Sequence, residues 1–226
     1  MAQVQDVYPT SVKGLNFSKA GEQQFKKKLK RFEALIEGKM QGQGLGYDQL
    51  SPADRQLYDW GRNFSEDSPS YYVEYERCWM HRHGPVASSA SSHLQAQGRA
   101  TYNPENALDC SYKTAWVEGV KGNGIGESIS FTFAEPPQVE VVYIANGYVK
   151  SAQAWRDNGR VKMLRVYVDG VAKYDFYLKD KRAVQGFVIP RLSKCRTLRF
   201  EILAVYPGAK YQDVAISEFD FGYLMH

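Results

Sequence analysis

Residues 101–133 read TYNPENALDCSYKTAWVEGVKGNGIGESISFTF. A turn-rich loop comes first, then Trp116 in an apolar setting. A hairpin punctuated by Gly122, Gly124 and Gly126 follows, then the alternating run Ser128–Phe133. Alternation with period two marks a strand with one face buried. No helical period interrupts this order, so the stretch predicts an all-β unit.

The downstream chain continues in the same style. Val139–Ala145 is nearly all apolar, as a central strand is, and Val161–Val168 alternates up to Asp169-Gly170. That dipeptide suits a two-residue hairpin turn, with Val171–Leu178 as the return strand. Gly186–Ile189 reads as a short strand that stops at Pro190, and Thr197–Val205 and Val214–Tyr223 close the set. Strands without intervening helices predict an antiparallel β-sandwich rather than a parallel sheet.

The upstream chain differs. Residues 1–17 read as an extended arm. In residues 18–40, Phe25, Leu29, Phe32, Leu35 and Ile36 form the stripe of an amphipathic helix, with Ser18 as N-cap and Gly38 as its end. Lys26, Lys27, Lys28, Lys30 and Arg31 cover its other side, a solvated face diluted by Glu22, Glu33 and Glu37. Ser51-Pro52-Ala53-Asp54 opens a second helix carrying Leu57, Trp60 and Phe64. Tyr71–Met80 reads as an aromatic strand. The expected division is a helical N-terminal extension, residues 1–83, and a sandwich, residues 84–226, meeting at Gly84-Pro85.

The chain has 226 residues and a net charge of +4, too little for a dedicated nucleic-acid binder. No apolar run of about 20 residues is present, so no transmembrane helix is expected. Residues 1–30 lack the pattern of a secretory leader, which fits either a protein that is not exported or a mature form. Cys78, Cys110 and Cys195 are widely spaced, allowing one disulfide or three free thiols. His81 and His83 near Cys78 fall short of a four-ligand zinc set. The sequons at Asn16 and Asn63 matter only in a glycosylating host.

The segments Tyr102–Ile129, Ile144–Tyr148 (IANGY), Asn158–Lys162 (NGRVK) and Ala215–Glu218 (AISE) together resemble the discoidin or F5/8 type C-like galactose-binding fold. More narrowly, they resemble its bacterial NADase-type glycan-binding subgroup. The resemblance covers residues 84–226 and implies a galactose-binding-like jelly roll. It implies glycan binding as the role, with an extracellular or cell-envelope setting. In related sugar-binding modules the loop at Asn106–Trp116 holds a structural calcium. The matching positions here are Asp109, Thr114 and Glu218. Cys110 stands where a glycine is usual and Ser111 where an acid is usual, so a side chain at 110 is expected to work against the turn. The alternative is an Asx-type turn closed by Asp109 itself.

Sugar recognition needs apolar faces to stack on and fixed polar groups. Tyr148, Trp155, Arg156, Asn158 and Arg160 lie in or beside one long segment, Gly147–Arg160, and are the candidate ligand residues. Trp155 in a polar setting suits a ligand platform; the other reading has it covering the sandwich edge. Trp116 reads as a core or rim tryptophan. Glu118 and Glu127 flank the glycine hairpin and form the one acidic pair worth weighing for glycoside hydrolysis. The expected function is a non-catalytic carbohydrate-binding module. The other reading is a structural protein that contacts protein partners, or itself, through residues 1–83.

Overall fold

The computed structural model describes residues 3–15, 19–40, 46–62 and 85–222. The expected strand at Tyr71–Met80, the residues Cys78, His81 and His83, the Gly84 boundary, the Ser18 cap and both sequons lie outside them. Two compact units divide the chain: residues 1–15 join residues 75–226 in one, and residues 16–74 form the other.

The smaller unit contains helices α1 (Lys19–Met40) and α2 (Pro52–Arg62). Helix α1 runs past Gly38, which does not end it. The Ser51 hydroxyl accepts from the Asp54 amide at 3.1 Å, as an N-cap should. Arg31 and Asp54 pair at 2.7 Å, and Phe32 meets Trp60 edge-on at 6.2 Å, so the helices close on one another.

Among the described residues, the larger unit has eleven strands in two sheets. They are β1 (Gln5–Val7), β2 (Ser11–Gly14), β3 (Ala87–Ala90), β4 (Trp116–Val117), β5 (Ser128–Thr132) and β6 (Val139–Asn146). After the short helix α3 (Ala152–Asp157) come β7 (Arg160–Val168), β8 (Val171–Tyr177), β9 (Ala183–Leu192), β10 (Thr197–Tyr206) and β11 (Ala215–Gly222). The six-stranded sheet has the order β1-β8-β7-β10-β5-β3, and the five-stranded sheet β2-β9-β6-β11-β4. All pairings are antiparallel except β1 with β8.

Inward residues of both sheets fill the core between them. Phe131, Phe176, Phe187 and Phe200 are fully buried, and Phe176 stacks on Phe187 at 4.5 Å. The β7–β8 hairpin turns on Asp169 (φ 47°) and Gly170 (φ 81°), the backbone that an Asp-Gly pair accepts.

Two expectations need correction. Residues 5–14 are not a free arm of a helical extension. Gln5–Val7 pairs with Tyr174–Phe176 of β8, and Ser11–Gly14 pairs with β9, so one short stretch finishes an edge of each sheet. Sheet edges carry unpaired backbone groups, which this stretch satisfies. It is thereby engaged inside the unit. Second, β9 does not stop at Pro190 but runs to Leu192. Pro190 lies in the register irregularity opposite Val139–Val141, beyond the part of β9 that β2 covers, so its missing N–H breaks no ladder there.

Candidate functional site

Strand register gathers several loops at one end of the sandwich. Arg160, which opens β7, lies opposite Tyr206, which closes β10. Ala145 near the end of β6 lies opposite Val184 near the start of β9, and Tyr177 at the end of β8 lies opposite Met163. Segments 147–159, 178–182 and 207–214 therefore leave the sheets side by side. Surface loops on a rigid scaffold are where recognition residues concentrate.

These segments are tied together by Arg160. Its guanidinium makes a fork with Asp180, 3.0 Å to each carboxylate oxygen. It also donates to the carbonyls of Asn158 (3.0 Å) and Pro207 (2.9 Å) and lies 4.7 Å over the Trp155 ring. Planar, multi-donor geometry of this kind is specific to arginine. Further bonds lock the same neighbourhood. The amides of Ala209 and Tyr211 donate to the carbonyls of Arg156 and Asp157, both at 2.8 Å. The Tyr206 hydroxyl donates to the Leu178 carbonyl at 3.0 Å.

Helix α3 lies inside the expected loop. Ser151 caps it by accepting from the Ala154 amide at 3.0 Å, and the Asn158 side chain closes it by donating to the Ala154 carbonyl at 2.8 Å. The Trp155 indole N–H donates to the Asn146 carbonyl at 3.0 Å. The Asn146 amide group in turn exchanges two bonds with the backbone of Val161, joining the sheets at their loop end. Ser217 fixes the first turn of the segment, donating to the Gly147 carbonyl and accepting from the Val149 amide. Gly147 has φ 89°, and a Cβ there would meet Arg160 and Trp155 side-chain carbons at 2.7 Å, so glycine is required.

The five expected ligand residues thus separate. Arg160 is 7% exposed and Tyr148 is 7% exposed, and neither presents a free face to a ligand. Tyr148 packs with Ala115, Val117 and Ala215 in a small second cluster, because Gly147 turns the chain back over the sheet. Trp155 is half-buried with one face under Arg160, and the amide of Asn158 is engaged as a helix closure. Arg156 is exposed. The residue missed is Tyr211, 43% exposed and seated against α3 by its own amide. Its signal was present: an aromatic flanked by Lys210 and Gln212 just after Pro207-Gly208.

The acidic pair is engaged within the fold. Glu118 is fully buried, and its two oxygens accept from the amides of Val214 (3.1 Å) and Val120 (2.9 Å). Burial pushes its carboxyl above the usual range despite those bonds. Glu118 therefore holds the glycine-rich loop 119–126 against the start of β11. That loop is not the expected hairpin: β4 before it pairs with β11, and β5 after it pairs with β10 and β3, so it crosses from one sheet to the other. The Glu127 carboxylate accepts from the Ser91 hydroxyl at 2.6 Å. Trp116 is a core residue, fully buried, with its N–H on the Ser92 carbonyl at 3.0 Å.

The loop at 109–114 lies on the flank, beside β11. Asp109 accepts from the Ser111 amide at 2.9 Å and from the Thr114 hydroxyl at 2.6 Å. The same hydroxyl is 3.1 Å from the Ser111 carbonyl. Glu218 is 4% exposed, and neither carboxylate oxygen has a hydrogen-bond partner among the described residues. Burial pushes its carboxyl well above the usual range, with repulsion from Asp109 and Asp220 adding to it. The amides of Cys110 and Ser111 ease that charge without reaching hydrogen-bond geometry. Cys110 does not block the turn: it adopts φ 60° itself, and it is disulfide-bonded, so the expectation of three free thiols is overturned. Its partner lies outside the described residues. Cys195 is a free, buried thiol.

Comparison with known proteins gives the arrangement its relatives. The family model described as NAD glycohydrolase translocation F5/8 type C domain matches residues 79–222. Among solved structures, the CBM32-1 and CBM32-2 domains of ZmpB from Clostridium perfringens superpose with a TM-score of 0.51 at 12% identity, covering 73% of this chain and 39% of that one. The same domains in complex with GalNAc give 0.50 at 11% identity, covering 62% and 33%. The family 32 module of NanJ from the same organism, in complex with galactose, gives 0.47 at 14% identity, covering 62% and 98%. This chain thus spans about a third of the length of the first ZmpB structures it matches. At these identities the ZmpB likeness is one of fold. No curated protein sequence matches the chain. With the family model spanning well over half of its length, the chain belongs to the NAD glycohydrolase translocation F5/8 type C domain family.

Proposed function

We propose that the sandwich is a non-catalytic glycan-binding module whose site lies on the loop-bearing end. The observation that carries this reading is Tyr211: an exposed ring held by its backbone to α3, with Arg156 and the open edge of Trp155 on the same helix. An aromatic face for the sugar ring beside fixed polar groups is what saccharide binding requires. The engagement of Glu118 and Glu127 within the fold supports binding without hydrolysis. The ZmpB domains, one of whose structures holds GalNAc, lend support at the level of fold. The Cys110 disulfide supports an oxidising, extracellular or cell-envelope setting. Glycan-array binding of the whole chain and of Tyr211→Ala tests the reading. The variant should lose about tenfold or more in affinity, the equivalent of about 1.4 kcal/mol. No glycan bound by the parent, or equal binding by the variant, would sink it.

We also propose that the flank loop seats a structural calcium. The donor set is hard oxygen: the Asp109 and Glu218 carboxylates, the Thr114 hydroxyl and the Ser111 carbonyl. Two orphaned, buried oxygens on Glu218 support the fit. A bound cation would offset the cost of burying that charge and hold the loop. Calcium at about 100 times its Kd adds about 2.7 kcal/mol to stability, or about 5 °C or more in Tm for a chain of this size. Melting curves in calcium, magnesium and chelator check it, with Glu218→Gln as the variant that abolishes the shift. A Tm indifferent to calcium would count against the site.

A further inference from the structure

The loop-bearing end is more basic than the chain as a whole. Segments 147–159, 178–182 and 207–214 contain six basic and three acidic residues. Each of the three acids is engaged or partly covered. Asp157 accepts from the Gln153 amide at 2.7 Å, Asp180 is held by both arms of Arg160, and Asp213 is half-buried. The cations point the other way. Lys150, Arg156, Lys179, Lys181 and Lys210 are all exposed, and none has an ion-pair partner among the described residues. Two of them lie over aromatic rings: Lys150 is 4.1 Å from the Tyr148 centroid and Lys210 is 4.9 Å from that of Tyr211.

The segments are contiguous through the Arg160 bonds, the amide bonds of 209–211 to α3, and Arg182, which donates to the Val149 carbonyl at 2.7 Å. With Asp180 paired internally and five cations left outward, positive charge predominates around an exposed tyrosine. A neutral sugar makes no use of that charge. A saccharide bearing carboxylate or sulfate groups does, with the ring against Tyr211 and the anion among the lysines.

From this arrangement we infer that the ligand is an acidic glycan. The inference rests on the glycan-binding reading above and names its ligand class. Nucleic acid is the poorer match: its affinity comes from many neutralised phosphates and stacked bases, and this surface offers one exposed aromatic and few net charges.

Isothermal titration of the whole chain with 3′-sialyllactose and with its neutral parent lactose tests the inference, alongside oligogalacturonate and a single-stranded oligonucleotide. The expected result is at least tenfold tighter binding of an acidic saccharide than of lactose, weakening as salt rises from about 50 to about 500 mM. Changing Lys150, Lys181 and Lys210 together to Gln should loosen that binding about tenfold, as a few exposed charge contacts are worth. Lys194→Gln, at the opposite end, should leave it unchanged. Binding lactose as well as the acidic saccharides would overturn the acidic preference and keep the glycan reading. Equal binding of the oligonucleotide would overturn it too, as charge without saccharide recognition. No binding of any saccharide would overturn both.

Discussion

Arg160→Ala should destabilise the protein by about 3 kcal/mol and remove glycan binding with it. Truncating one partner of a buried, hydrogen-bonded ion pair costs about 3–5 kcal/mol. The lower end applies because the Asp180 side chain is 38% exposed and water can take over its charge. The loss extends beyond the pair. The carbonyls of Asn158 and Pro207 lose their donor, and Trp155 loses the plane that covers it. Urea denaturation measures the stability change. Hydrogen exchange should show faster exchange at the amides of 155 and 158, which bond within α3, and of 209–211, which hold it to the neighbouring segment. Arg160→Lys keeps the charge and loses the fork, so it should fall between the two. A loss under about 1 kcal/mol for the alanine variant would show that the segments do not depend on this residue.

Phe200→Ala should cost still more, about 4 kcal/mol, and do something different. Phe200 is fully buried on β10, between β7 and β5 in the middle of its sheet. Its ring lies 4.7 Å from Phe219, 5.8 Å from Phe131 and 6.3 Å from Phe176. Removing a large aromatic from such packing leaves a cavity that strands cannot close, at about 3–5 kcal/mol. The melting temperature should fall by about 10 °C or more. Below the melting transition, saccharide affinity should be unchanged, because the loop-end bonds do not involve this ring. Loss of binding in the folded variant would mean that core and loop end are more tightly coupled than the contacts indicate. The two variants thus separate the role of the scaffold from that of the site.

Much of the scaffold was legible because it rests on local pattern. Alternation marked β5 and β7, a continuous apolar run marked β6, and Asp169-Gly170 marked the hairpin. Each signal is complete within a few residues. The ordered motifs from Tyr102 to Glu218 pointed to the family by the same route. The first two strands were illegible for the opposite reason. Three and four residues are too few to show a period, and QDV and SVKG become strands only because β8 and β9 present unpaired edges to them.

The candidate site was half legible. The segment Gly147–Arg160 does lie at the loop end beside the exposed tyrosine, but its sequence does not show that Arg160 is buried or that one face of Trp155 lies under it. The partners of Arg160 include Asp180 and Pro207, 20 and 47 residues away in sequence, and no local pattern announces such contacts. Tyr148 shows the same limit, since a left-handed Gly147 turns it inward.

The stretch at 101–133 shows the division most clearly. By itself the sequence determined that it contains a turn-rich loop and a strand, and that the chain around it is a sandwich. Periodicity and turn chemistry are local, so they survive without coordinates. Only the tertiary structure decided that Cys110 takes up the left-handed turn within a disulfide, that the glycine-rich loop crosses between the sheets with Glu118 bonded to backbone amides on either side, and that Glu218 is buried beside Asp109. Those outcomes depend on groups distant in sequence meeting in a medium where an unpaired charge is costly, and that medium exists only once the sheets have closed.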